Sequence, residues 1–190
     1  MTLTWGAICR AKQGYAVSGD TYIIEQFDQQ ALIVVVDGLG GGEEAARAAN
    51  RATAIFQQQR TLPLQDLVKL AHTDLHATRG AVAGLLKLNF ATQQASYVGV
   101  GNIGIHVVSQ RSIKPISKNG ILGFRLPSLL ELHYTFDPGD TFILFSDGIS
   151  SQFTHEGKLD LSCPPQILAE QILETYGKLT DDATVVIIRT

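Results

Sequence analysis

Little in this sequence could staple it, anchor it or charge it strongly in one sense. The only two cysteines, Cys9 and Cys163, are far apart and form no metal-spaced pair. That excludes a disulfide-built secreted scaffold and makes a reducing compartment, the cytoplasm, the expected setting. Cys9 lies in an alternating apolar run and is expected as a buried thiol. The longest apolar runs, such as Ala31 to Val36, fall far short of the ~20 residues that cross a bilayer. Met1 to Trp5 lacks the charged start and apolar stretch of a signal peptide, so no membrane association is expected. The 15 basic residues are scattered and outnumbered by 18 acidic ones, which leaves no basic stripe for nucleic acid.

Two kinds of active-site chemistry are also poorly represented. Ser18, Ser146 and Ser150 stand in no G-x-S-x-G elbow, so a nucleophilic serine is not indicated. His72 and His76 have i, i+4 spacing, but Thr73-Asp74-Leu75 between them lacks the glutamate of a zinc protease, and a solvated helix face is the expected reading. What remains is an ordinary globular composition, 45% hydrophobic and 17% charged, read as one domain over residues 1–190.

Strand patterns run over Thr2 to Cys9, Asp20 to Phe27 and Ala31 to Val36, with Asp28-Gln29-Gln30 turning the second into the third. Glu43 to Gln59 reads as a helix with a small-residue stripe of Ala45, Ala48, Ala49 and Ala52, extended by Ile55. A second helix follows Leu62-Pro63, with Leu64, Leu67, Val68, Ala71 and Leu75 inward. Strand-like runs then cover Ala81 to Phe90, Gln93 to Val100, Ile103 to Ser109, Ser112 to Ile116, Leu129 to Phe136 and Thr141 to Ser146. Turns at 89–94 and at Gly101-Asn102 suggest antiparallel neighbours. A helix over Pro164 to Tyr176, with Ile167, Leu168, Ile172 and Leu173 as its face, precedes a last strand, Thr184 to Ile188. Segregated strand and helix runs indicate an α+β fold, with two packed antiparallel sheets flanked by helices.

The chemistry concentrates in four acidic motifs: Ser18-Gly19-Asp20, Val36-Asp37-Gly38, Ser146-Asp147-Gly148 and Asp181-Asp182-Ala183-Thr184. Each adjoins an apolar, β-rich run. A buried strand that ends in Asp-Gly puts a carboxylate at the sheet rim beside a residue with no side chain. One such motif is a common turn, but two after buried strands call for partners or a metal. Carboxylates brought together from four places would cage a hard divalent cation, Mg²⁺ or Mn²⁺. Gly38 to Gly42 lacks the lysine and hydroxyl of a Walker loop, so a nucleotide-cradling role is not indicated.

The order and spacing of Ser18-Gly19-Asp20-Thr21-Tyr22, Val36-Asp37-Gly38-Leu39-Gly40, Ser146-Asp147-Gly148-Ile149 and Asp181-Asp182-Ala183-Thr184 resemble the metal-dependent protein phosphatases of the protein phosphatase 2C superfamily. Arg79-Gly80-Ala81-Val82-Ala83, Leu88-Asn89-Phe90 and Val100-Gly101-Asn102 look closer still to small stand-alone members of the bacterial SpoIIE-like branch. The resemblance covers nearly the whole chain. It implies an α-β-β-α sandwich with two Mn²⁺ or Mg²⁺ ions at one end of the sheets. It also implies attack on phosphoserine or phosphothreonine by a metal-activated water, with no covalent phosphoenzyme.

Carried over by position, the resemblance makes Asp37 the bridging ligand, the Gly38 carbonyl a ligand, Asp20 a ligand to one ion and Asp147 a ligand to the other. Asp181 helps Asp147, and Asp182 stands second as a ligand or as a capping residue. The implied substrate is a phosphorylated regulatory protein of the STAS type in a stress-response partner-switching module. An inactive phosphatase-fold protein that binds phosphoproteins, and a small-molecule phosphatase, are the alternatives. Two departures stand out. Gln13 to Val17 lacks the arginine that the eukaryotic branch uses on the phosphate, leaving only Arg10 and Lys12 nearby. The stretch before Asp147 is also too short for a lid domain, which suggests an open site for a folded protein substrate.

Overall fold

Alternation along one strand, Gln30–Gly38 (β3), sets the layers of the molecule. Its odd residues Ala31, Ile33 and Val35 enter one apolar cluster, and its even residues Leu32, Val34 and Val36 enter another. A strand buried on both faces must be covered on both, and two different partners do so. The computed structural model describes residues 3–156 and 159–190.

β3 lies in a five-stranded sheet with Asp20–Phe27 (β2), Ala81–Asn89 (β4), Gln94–Val100 (β5) and Leu132–Thr135 (β7), in the order β2-β3-β4-β5-β7. A four-stranded sheet takes the order β1-β9-β8-β6 from Thr4–Arg10 (β1), Gly104–Val108 (β6), Thr141–Phe145 (β8) and Ala183–Arg189 (β9). Every pairing between named strands is antiparallel. The sheets meet through Ile33, Val35, Leu86, Tyr97, Phe142, Leu144, Val186 and Ile188. Helices Gly42–Gln58 (α1) and Leu64–Asp74 (α2) cover the outer face of the larger sheet, where Ala48, Ala49, Ala52, Leu67 and Val68 pack on Val34 and Leu85. Helix Pro165–Tyr176 (α4) covers the other sheet through Leu168, Ala169 and Ile172 against Ile143, Val185 and Ile187. These layers form the α-β-β-α sandwich. No helix among the described residues is long and apolar enough to cross a membrane.

Several expectations change. Thr2, where the first strand was expected to begin, lies outside the described residues. Gly101-Asn102 is not a hairpin turn. β5 pairs with β7 and β6 with β8, so the chain crosses between sheets there. Ser112 to Ile116 is not a strand, because residues 109–131 form an irregular strap held by isolated bridges such as Ala81–Leu122 and Val100–Lys118. The expected strand over Leu129 to Phe136 shortens to β7. Ile167 is exposed, and Ala169 takes its place on the buried face of α4. Cys9 is exposed at the rim, its thiol donating to Ser18 Oγ at 3.3 Å. A short helix, Phe153–Glu156 (α3), was not anticipated.

Candidate metal centre

The β2–β3 connection is a two-residue turn, because Phe27 already pairs with Gln30. Asp28 takes the left-handed conformation there, with φ of 50°. That register carries Asp20 opposite Asp37. Continuing the alternation of β3 past Val35 places Asp37, and therefore its partner Asp20, on the face between the sheets. Asp20 is only 5% exposed, and neither of its carboxylate oxygens has a hydrogen-bond partner of normal geometry among the described residues. Burial raises its pKa to about 6, tempered by the hydroxyls of Ser146 and Thr184. Burial, followed by the charges of Asp20, Asp147, Asp181 and Asp182, pushes Asp37 up to about 8.

The facing sheet delivers the other carboxylates. β8 ends at Phe145, and Asp147 follows in a turn where Asn102 Nδ2 donates to its Oδ2 at 2.7 Å. Burial and Asp181 raise the Asp147 pKa, while Lys178 and the Asn102 hydrogen bond oppose the rise. The Lys178 ammonium donates to the Asp147 carbonyl at 2.6 Å. Asp181 and Asp182 precede β9. Asp182 is buried, and its Oδ1 accepts the Lys12 backbone N–H at 2.9 Å. Asp181 instead faces a cleft of about 740 Å³, which Asp37 and Asp147 also line.

The glycines in these motifs are set by packing. A Cβ on Gly38 would lie 2.0 Å from the Ala45 carbonyl oxygen of α1, and one on Gly148 would lie 1.9 Å from the Asp182 carbonyl oxygen. Close approach of the backbone therefore requires glycine after Asp37 and after Asp147.

These residues gather at one end of the sandwich, three of them along the cleft and Asp20 and Asp182 behind it. Among the described residues, no three histidine, cysteine, aspartate or glutamate side chains close on a single point. The carboxylates still lie close enough to act on one another, the charges of Asp20, Asp147, Asp181 and Asp182 each raising the pKa of Asp37. The residues nonetheless fit a hard cation. The donors are carboxylate oxygens, and Asp20 has buried, unpartnered oxygens that a divalent ion would satisfy.

Three features escaped the sequence reading. Asn102 belongs to a turn signal and to the Val100-Gly101-Asn102 motif, but its hydrogen bond to Asp147 has no local signal. The strap supplies one wall of the cleft through Asn119, Gly120, Ile121, Phe124 and Arg125. His72 is half-buried rather than solvated, and its Nδ1 accepts the Gly123 N–H of that strap at 3.1 Å.

In sequence and fold the chain is similar to known proteins. The SpoIIE family profile, described as Stage II sporulation protein E, matches residues 28–190. The phosphoserine phosphatase RsbX of Bacillus subtilis (strain 168) is 28% identical over 142 residues, 73% of this chain and 71% of that protein. A solved chain described under "The bacterial stressosome: a modular system that has been adapted to control secondary messenger signaling" superposes with a TM-score of 0.92 at 32% identity, covering 100% of both chains. RsbX in complex with magnesium superposes with a TM-score of 0.86 over 98% of this chain and 94% of that one; at 22% identity this speaks to the fold.

Proposed function

We propose that this chain, which belongs to the SpoIIE family, is a divalent-cation-dependent phosphatase acting on phosphoserine or phosphothreonine in a regulatory protein of the STAS type, within a cytoplasmic stress-response partner-switching module. Residues 1–190 are read as a single phosphatase domain. The observation that carries the reading is the opposition of Asp20 and Asp37 across β2–β3, with Asp147 and Asp181 facing the same end from the other sheet. The phosphoserine phosphatase RsbX, as a relative, and the stressosome chain, as a structural neighbour, support the substrate class.

In this reading Asp37, the Gly38 carbonyl and Asp20 hold cation from the larger sheet, and Asp147 and Asp181 from the smaller one. Asp182 ranks second, because one of its oxygens already serves the Lys12 amide. Two Mg²⁺ or Mn²⁺ ions, when bound, supply an activated water and neutralise phosphoryl oxygens. The chain does the positioning. Asn102 fixes the Asp147 carboxylate, and Lys178 pins the backbone behind it. Burial and the neighbouring carboxylates raise the Asp37 pKa, and a bound cation would draw the group back to the ionised form that ligates. Exposed Phe124 beside the cleft, at 80% exposure, suits contact with a folded substrate.

The test is hydrolysis of p-nitrophenyl phosphate and of a phosphorylated STAS-type protein, each with Mn²⁺, with Mg²⁺ and with chelator. Cation-dependent turnover of both, faster on the protein, is expected. Equal activity in chelator would refute the reading.

A further inference from the structure

We propose that Arg125, on the strap between β6 and β7, receives the phosphoryl oxygens of the substrate. The inference rests on the phosphatase reading above and adds a residue to it. Asp37, Asp147 and Asp181 make the cleft repel a phosphate dianion unless positive charge is supplied. Cations bound by those carboxylates would supply part of it. From the protein itself, among the described residues lining the cleft, Arg125 is the one cationic side chain.

Other cations near the acidic end are already engaged by backbone carbonyls. The Arg10 guanidinium donates to the Lys178 carbonyl at 2.6 Å. Lys12 donates to the Gly40 carbonyl at 3.3 Å and sits 4.7 Å from the Tyr15 ring centroid. Lys178 is bound to the Asp147 carbonyl. Arg79 is the nearest rival, since its guanidinium packs against Gly40, but it does not line the cleft. Arg125 makes no ion pair among the described residues, so its planar fork is available for two parallel bonds to a phosphate.

The side chain is long, but its base is fixed. Ile121 and Arg125 exchange backbone hydrogen bonds of 2.8 and 2.9 Å, and Leu122 and Ala81 exchange bonds of 2.8 and 3.1 Å. Gly123, with φ of +86°, lets the turn close, and a Cβ there would lie 2.6 Å from the Leu75 carbonyl oxygen. The His72 bond to the Gly123 N–H ties the same turn to the end of α2. Such anchoring fixes the backbone from which the Arg125 side chain extends at the cleft wall, which reduces the ordering cost of binding.

The test is calorimetric titration of inorganic phosphate into the Mg²⁺-loaded protein, alongside p-nitrophenyl phosphate kinetics, for wild type, Arg125→Ala, Arg125→Lys and Arg79→Ala. Arg125→Ala is expected to weaken phosphate binding about tenfold and to raise KM by a similar factor, with a smaller change in kcat and an unchanged unfolding midpoint. Arg125→Lys should fall between wild type and alanine, because a point charge replaces the fork. Arg79→Ala should stay within about twofold of wild type. Phosphate affinity retained in Arg125→Ala, a loss equal to it in Arg79→Ala, or no phosphate binding by the wild type would each overturn the assignment. Phosphate bound through Arg125 without any turnover would instead defeat the phosphatase reading and leave this assignment standing.

Discussion

Asp20 and Asp37 are direct cross-strand partners on the inter-sheet face of the β2–β3 hairpin. Like charges opposite each other destabilise a strand pair, and burial sharpens the penalty. The pair is therefore a fixed cost of the fold that only protons or a cation can relieve.

In chelator, stability should fall as pH rises. The folded-state pKa values of Asp20 and Asp37, about 6 and about 8, lie above the ~3.9 of an unfolded aspartate. Between roughly pH 4 and pH 8 the folded protein thus binds more protons than the unfolded chain, and stability drops with increasing pH. Thermal melts in chelator should show a midpoint declining across this window, with the slope flattened in Asp37→Asn. A midpoint that climbs instead would mean the carboxylates are already compensated.

Asp37→Asn and Asp147→Asn should keep the fold and lose turnover on the order of 100-fold or more, since an amide forfeits both charge and cation affinity. Circular dichroism together with p-nitrophenyl phosphate rates in Mn²⁺ checks this. Near-normal rates in both variants would remove the metal centre.

Asp181 and Asp182 should separate cleanly. Asp181 faces the cleft, so Asp181→Ala should weaken Mn²⁺ binding while barely moving the unfolding midpoint. Asp182 is buried and accepts the Lys12 amide, so Asp182→Ala should cost about 1–3 kcal/mol by leaving that donor unpaired. Calorimetry of Mn²⁺ binding and denaturant melts on both variants would expose a reversed assignment.

Packing around the site should tolerate little added volume. Gly148→Ala forces a Cβ onto the Asp182 carbonyl and should cost about 2 kcal/mol or more. Ala49→Leu, in the fully buried stripe of α1, should cost about 1–3 kcal/mol by overpacking against the sheet. Urea titration measures both, and an unchanged midpoint for Ala49→Leu would place that stripe at the surface.

The sequence made the sandwich legible because strand alternation and helical stripes are strong local signals. Val34 to Val36 and Leu64 to Leu75 behave as their patterns require. Register was harder to read. A turn of Asp28-Gln29-Gln30 would have set Asp20 opposite Gly38, one residue from its actual partner, and only the left-handed Asp28 closes the tighter turn. The strap was illegible for a different reason. Ser112 to Ile116 has strand-like composition, but its neighbours in space are single bridges and side-chain bonds, such as Ser117 Oγ to the Ile103 carbonyl at 2.9 Å. Arg125 and Asn102 followed from that tertiary arrangement, which carries no periodicity.

The candidate ligands are divided between the two sheets, Asp20 and Asp37 on one and Asp147 and Asp181 on the other. An ion held among them would act as a rivet through the sandwich, resisting slippage of one layer over the other. If such an ion binds the folded chain and not the unfolded one, each tenfold rise in free cation above its dissociation constant would add about 1.4 kcal/mol to folding stability. Scarcity of the ion would then shorten the lifetime of the protein as well as idle it, and the cell's cation supply would govern its abundance through turnover.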